Sequence, residues 1–230
     1  TPVGTITQRI VPNYFFGYNG SSLDIANWDT VNMPALGQAL ISIGSNSIRF
    51  PGGDESNFWN QSGLYQNTEQ TVPTASFHTH GRALPRWLAY KTDQQTATRA
   101  NYKRMFNDAN AGTFVYVVNC TTSTPAQEVA KVQDAIAKGL PLTHIELGNE
   151  LFFGVPYYTG DGDPNSPKFL RGHTSALAYC VDMRDNYMPA LRAAFGNTYK
   201  IGVPAWPSNF TSGRREDEWN SVIINSGLAA

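Results

Sequence analysis

Short apolar runs alternate with longer amphipathic stretches along the chain, and this alternation predicts a βαβα order. The run at 113–119 is β-branched and aromatic throughout, which is typical of a parallel strand covered on both faces. We therefore predict an α/β fold with five β/α units in a single domain over residues 1–230. The strands are predicted near 14–18, 47–50, 113–119, 144–148 and 199–204.

Helical periodicity fills the stretches between these strands. Apolar residues recur at helical spacing over 33–43, and a further helix opens with Thr124 as N-cap, followed by Pro125 and Gln127. The remaining helices are predicted at 92–111, 169–195 and 216–225. Pro189 lies inside one of them and predicts a kink or a break there.

Two long segments rich in polar and turn residues interrupt this pattern, at 54–86 and 153–167. The first is too long for an ordinary connection, so we predict a functional loop over one end of the fold. The carboxyl ends of parallel strands meet at one end of such folds, where ligands bind. We therefore expect the candidate chemistry directly after the strands.

Composition excludes several classes of protein. Seventeen basic residues face eighteen acidic ones without a run of Lys or Arg, so we expect no nucleic-acid partner. A content of 41% hydrophobic and 12% aromatic residues excludes a disordered chain. No apolar run approaches the roughly 18 residues that a membrane span needs. We expect a folded domain without a membrane span.

The tail of the strand at 144–148 carries the most informative residues, Asn149 and Glu150. A partly desolvated Glu at a strand end has its pKa raised towards neutrality, so it can serve as a general acid and then as a base. The neighbouring Asn can hold a sugar hydroxyl. This pair therefore predicts acid/base chemistry.

Residues 145–150, Ile-Glu-Leu-Gly-Asn-Glu, resemble the strand-four motif of the retaining (β/α)8-barrel glycoside hydrolases of clan A. Residues 49–53 and 57–60 resemble the strand-two motif of the heparanase and β-glucuronidase branch, with a weaker likeness to α-L-arabinofuranosidases. The two motifs agree in order and spacing. The resemblance implies an incomplete TIM-barrel-like fold, the N-terminal portion of a barrel that hydrolyses β-glycosidic bonds with retention when intact.

Carried over by position, the resemblance implies that Glu150 is the acid/base, that Asn149 binds the hydroxyl next to the scissile bond, and that Arg49 orients a carboxylate. The clan takes its nucleophile from strand seven, and no such strand is predicted here. Asp54 and Glu55 are the other carboxylates predicted at the same mouth. Candidate sugar-stacking platforms are the loop aromatics Trp59, Tyr157, Tyr158 and Trp206.

Asn-X-Ser/Thr sequons permit glycosylation at Asn19, Asn60, Asn119 and Asn209. We therefore expect a secreted, extracellular glycoprotein, and a bacterial periplasmic or extracellular origin stays open. Cys120 and Cys180 are too few for a disulfide framework, and their predicted positions argue mildly against a bridge.

Two short patterns suggest a metal. His78 and His80 could form half a site, and the loop around Asp161 and Asp163 suggests calcium. The first lacks a third ligand and the second lacks a terminal bidentate Glu, so hydrogen-bonded histidines and a turn are the better interpretations. We expect no metal and no cofactor.

Two functions stay open: a glycoside hydrolase, or a non-catalytic structural or carbohydrate-binding glycoprotein on a glycosidase-like scaffold. Carbohydrate is the expected partner in both. A half barrel exposes strand edges and an apolar inner face, so we expect a second chain or a further copy to complete it. A complete, smaller α/β domain is a third interpretation, disfavoured because the loops have active-site length.

Overall fold

In the computed structural model, the residues described below are 17–19, 33–44, 46–50, 52, 56–57, 107–108, 110–121, 123–153, 173, 175–206 and 215–228. They contain one sheet of five parallel strands in the order β1-β2-β3-β4-β5. Spatial order thus follows chain order, as it does when successive β/α units are laid side by side. The strands are β1 (Gly17–Asn19), β2 (Ser47–Phe50), β3 (Thr113–Val117), β4 (Leu142–Glu146) and β5 (Lys200–Gly202).

The described α-helices lie between these strands and after the last one. They are α1 (Met33–Ser42), α2 (Pro125–Ala137), α3 (Ala176–Asp182), α4 (Met188–Phe195) and α5 (Arg215–Asn225). The predicted helix at 92–111 falls almost wholly outside the described residues. The α/β class is confirmed, and the parallel sheet is consistent with part of a TIM-barrel-like fold. Eight-stranded closure and the single domain over 1–230 stay predictions.

Helix α2 begins where its sequence predicts, because the cap residues satisfy the first backbone groups. The Gln127 N–H donates to Thr124 Oγ1 at 3.3 Å, and the Thr124 N–H donates to Gln127 Oε1 at 2.8 Å. This reciprocal pair is a capping box, with Pro125 in the first turn.

Helices α3 and α4 are joined by a π-helical turn, Met183–Tyr187. The Met188 N–H donates to Met183 O, one residue further back than in an α-helix. Pro189 follows directly and has no N–H to donate. The predicted break at Pro189 is therefore confirmed as a local change of helical period.

One face of the sheet forms the core. Alternate strand residues such as Phe50, Phe114 and Tyr116 are almost fully buried, with the Phe50 and Phe114 rings 5.6 Å apart. They belong to one cluster with helix residues. The opposite face includes buried residues such as Val117, but also several that are half-buried: Arg49, Thr113, Val115, His144 and Glu146.

A buried ion pair ties α2 to the end of β3. Lys131 Nζ lies 2.6 Å from Glu128 Oε1, and the side chains are 3% and 0% exposed. Glu128 Oε2 accepts a bond of 3.1 Å from the Asn119 N–H, and Lys131 Nζ donates to Ser123 Oγ at 3.0 Å. Both charges are thus held by hydrogen bonds as well as by each other, as buried charges require.

The two cysteines, Cys120 and Cys180, are both buried. Cys120 Sγ lies 3.5 Å from Met183 Sδ, which places it against the π-helical turn. In the described part of the chain, no helix has the length and apolar content to cross a membrane.

Candidate functional site at the carboxyl end of the sheet

Arg49, on β2, reaches across β3 to Glu146, on β4. Its Nε lies 2.6 Å from Glu146 Oε2, and its Nη2 lies 2.8 Å from Glu146 Oε1. The same Nη2 donates to Asn149 Oδ1 at 3.0 Å. Such a two-point pair holds a guanidinium plane in one orientation. In this structure the carboxylate that Arg49 holds is that of Glu146.

The turn that carries Glu150 has an unusual backbone. Gly148 has φ +89° and Glu150 has φ +48°, so both residues are left-handed. A Cβ at position 148 would lie 2.5 Å from Leu151 Cδ1, so only glycine fits there. A left-handed Glu costs about 1–2 kcal/mol and persists where surrounding contacts hold it.

The same turn leaves Glu150 exposed while its neighbours Asn149 and Leu151 are buried. A carboxyl group is thereby presented to solvent at the end of the sheet where parallel α/β folds bind ligands. The sequence predicts a partly desolvated Glu150, whereas the structure leaves this residue exposed.

Asn57 holds the backbone of this turn. Its Oδ1 accepts a bond of 3.1 Å from the Asn149 N–H, and its Nδ2 donates to Asn149 O at 3.0 Å. Asn57 is itself fully buried, and the Thr121 hydroxyl donates to its main-chain oxygen. The tails of β2, β3 and β4 are thus linked through one asparagine.

Asn119 extends these contacts into the core. Its Oδ1 accepts a bond of 3.1 Å from the Thr121 N–H, and its own N–H is held by Glu128. The Asn119 side chain is 1% exposed. Asn119, where the sequence predicts glycosylation, is thus buried in this fold, and its glycosylation stays a prediction.

Trp206 follows β5 and lies beside the turn after β4. Its ring centroid is 4.9 Å from that of Phe152, two residues after Glu150. Asn220 of α5 accepts from the Trp206 N–H and donates to Trp206 O, both at 2.8 Å. The residue is half-buried and packs against the core, with its indole nitrogen buried. Its role as a sugar-stacking platform stays a prediction.

A cavity of about 310 Å³ opens on the sheet face that carries Glu146, and His144 is one of the residues that line it. Burial lowers the pKa of His144 below its usual value, and the positive charge of Lys200 lowers it further. His144 is therefore neutral near pH 7. The lining residues are Thr113, Val115, His144, Ile145, Glu146, Gly202 and Val203.

Other predicted site residues lie outside the described part of the chain: Asp54, Glu55, Trp59, Tyr157, Tyr158, Asn60, Asn209, His78, His80, Asp161 and Asp163. Asn19 is the last residue of β1. Within residues that the structure does describe, no group of three His, Cys, Asp or Glu side chains is placed to hold a metal ion.

Sequence reasoning missed Glu146 and Asn57. Glu146 carried a usable signal, since it lies two residues from His144 in an apolar strand and alternation places both on one face. Asn57 carried none beyond its place in the strand-two motif.

Comparison with known proteins supports the fold. No family model matches the chain, and no curated protein matches its sequence. A solved structure of a family 51 α-L-arabinofuranosidase from Bifidobacterium longum is similar, with a TM-score of 0.53 and 14% identity. The alignment covers 84% of this chain and 35% of the arabinofuranosidase chain. The chain therefore has a glycosidase-like fold and spans about a third of that enzyme's length, while the resemblance to the heparanase branch stays a prediction.

Proposed function

We propose that this chain supplies the acid/base half of a glycoside hydrolase active site, with Glu150 as the general acid/base and retaining hydrolysis of a β-glycosidic bond as the reaction. The observation that carries the proposal is the exposed Glu150 on a constrained left-handed turn, at the carboxyl end of a parallel sheet with a glycosidase-like fold.

In the first step, protonated Glu150 gives its proton to the glycosidic oxygen while a second carboxylate attacks the anomeric carbon and displaces the leaving group. In the second step, the Glu150 carboxylate takes a proton from the water that attacks the glycosyl-enzyme and releases the second carboxylate. That second carboxylate comes from outside the residues described here. The proposal assigns to Asn149, from its place in the motif, the hydrogen bond to the adjacent sugar hydroxyl; Arg49 Nη2 donates to its Oδ1 and so orients the amide.

Further β/α units complete the sheet into a barrel in this proposal, supplied by the same polypeptide, by a second chain or by another copy. What supports it is the half-buried face bearing Val115, His144 and Glu146, because the interior of a (β/α)8 barrel is filled by layers of side chains. Analytical ultracentrifugation of the 230-residue chain alone tests it. A well-behaved monomer would count against the half barrel.

The catalytic proposal is tested with the full polypeptide on chromogenic β-glucuronides, β-glucosides and α-L-arabinofuranosides; the last are included because the structural neighbour is named for that activity. Glu150→Gln should lower kcat by about 10²–10⁴-fold on substrates whose leaving groups need protonation. Glu218→Gln is the matched control, since Glu218 is an exposed carboxyl on α5 that takes no part in the site contacts described above.

A retaining enzyme makes one further prediction. Azide should restore turnover of Glu150→Ala on an activated substrate, with a glycosyl azide as product, because the glycosyl-enzyme still forms and azide needs no general base. Wild-type turnover that Glu150→Gln leaves unchanged would remove Glu150 from the mechanism. Sugar binding without turnover by the wild type would favour the non-catalytic glycoprotein instead.

A further inference from the structure

We propose that Asn57 is a positioning residue for the Glu150 turn: its carboxamide holds both backbone groups of Asn149 and thereby fixes where the Glu150 side chain begins. The inference rests on the proposed function of Glu150 and adds a residue that contacts neither the substrate nor the Glu150 carboxyl. It acts through Asn149.

The need for such a residue follows from where β4 leaves the sheet. The last bond of this strand to β5 is made by the Leu147 N–H, which donates to Gly202 O at 2.9 Å. Gly148 then turns left-handed, and the chain leaves the sheet. A buried backbone group that has left its sheet must find another partner.

Asn57 provides both missing partners from a single side chain. One carboxamide accepts from the Asn149 N–H and donates to Asn149 O, at 3.1 and 3.0 Å, which is the pair of bonds that one residue of an antiparallel neighbouring strand would make. Asn57 and Asn149 are 0% and 4% exposed, so water does not compete for these bonds. The carboxamide therefore replaces one residue of sheet.

Asn149 is held at two points. Asn57 binds its backbone, and Arg49 binds its side chain through Nη2. Glu150 follows immediately with φ +48°, a conformation that an unsupported Glu leaves readily. Loss of the Asn57 contacts should therefore let Glu150 relax towards a right-handed or extended backbone, which moves its carboxyl group.

The expected kinetic effect is selective. Asn57→Ala should lower kcat by about 10²-fold with KM changed by less than about threefold, because a misplacement of about 1 Å affects proton transfer far more than sugar binding. Ser175→Ala is the stability control. It removes the N-cap of α3, a bond from the Ala178 N–H outside the site, and should leave kcat unchanged.

Asn57→Asp keeps the shape and the acceptor, and loses the Nδ2 donor. Its rate relative to wild type should rise as pH falls, because the protonated carboxyl group restores an O–H donor to Asn149 O. A merely structural loss of stability would not give this recovery. If Asn57→Ala does not fold, Asn57→Asp still tests the proposal.

Amide hydrogen exchange at Asn149 provides a readout that needs no activity. Exchange should be slow in the wild type and in Asn57→Asp, and faster by at least tenfold in Asn57→Ala. Unchanged exchange in Asn57→Ala overturns the inference. If the wild type is active and Asn57→Ala has the same kcat, the inference is also overturned, but the proposed function is not affected. A wild type without turnover on any glycoside overturns the proposed function instead, and the exchange rates then decide whether Asn57 holds the turn.

Discussion

Replacing Lys131 by Met tests how the end of β3 is anchored. The ammonium and Glu128 Oε1 are 2.6 Å apart in a fully buried pair, and Met removes the charge while keeping most of the volume. Glu128 keeps its bonds from the Asn119 N–H and the Tyr116 hydroxyl, at 3.1 and 3.4 Å. We therefore expect the free energy of unfolding to fall by about 3 kcal/mol, which is near the low end of the range for a broken buried ion pair.

Urea unfolding measures this loss. With a slope of about 2 kcal/mol per molar urea, the unfolding midpoint should fall by about 1.5 M with an unchanged slope. Total stabilities are only about 5–15 kcal/mol, so the variant should approach the limit of folding at moderate temperature.

Lys138→Met is the matched control on the same helix, because Lys138 and Asp134 form an exposed pair at the same 2.6 Å distance. The Lys138→Met replacement should lower the free energy of unfolding by no more than about 0.5 kcal/mol. A double variant, Glu128→Gln with Lys131→Met, should recover part of the loss, since no uncompensated charge stays buried. Equal losses for Lys131→Met and Lys138→Met would refute the reasoning.

Two further predictions concern the site and its cavity. Gly148→Ala should destabilise the fold by about 2 kcal/mol in urea unfolding, because φ is +89° and the new Cβ meets Leu151 Cδ1 at 2.5 Å; unchanged stability would contradict the left-handed turn. The folded state lowers the pKa of His144, so the unfolded chain binds the proton more tightly and stability should fall as pH drops below the unfolded value of about 6.5. His144→Gln should flatten that decline, and an identical pH profile of the unfolding midpoint in both proteins would show that burial does not act on His144.

Local pattern was sufficient for most of the elements. β2 has the predicted bounds 47–50, and α2 begins after Thr124 with the predicted cap, because strand alternation and capping involve residues a few positions apart. The sequence placed β4 at 144–148, whereas the strand is Leu142–Glu146. The difference arises because Gly148 adopts a left-handed conformation and ends the ladder, which an apolar run does not reveal.

The predicted helix at 169–195 shows a similar limit. Its described part begins at Ala176, where Ser175 caps it and accepts from the Ala178 N–H. Pro189 was correctly associated with a break, since a missing N–H disturbs any helix. That the disturbance takes the form of a π-helical turn depended on packing, because Met183 and Tyr187 are both fully buried.

The sequence by itself determined the α/β class, the order of the strands along the chain and the position of Asn149 and Glu150 directly after β4. Tertiary structure alone decided that Arg49 pairs with Glu146, that Asn57 holds Asn149, and that Asn119 is buried. These partners lie 97 and 92 residues apart for the first two pairs, so their meeting depends on strand order and register. Periodicity reports which face of an element a residue occupies, and only the assembled sheet decides which residues from distant strands share that face.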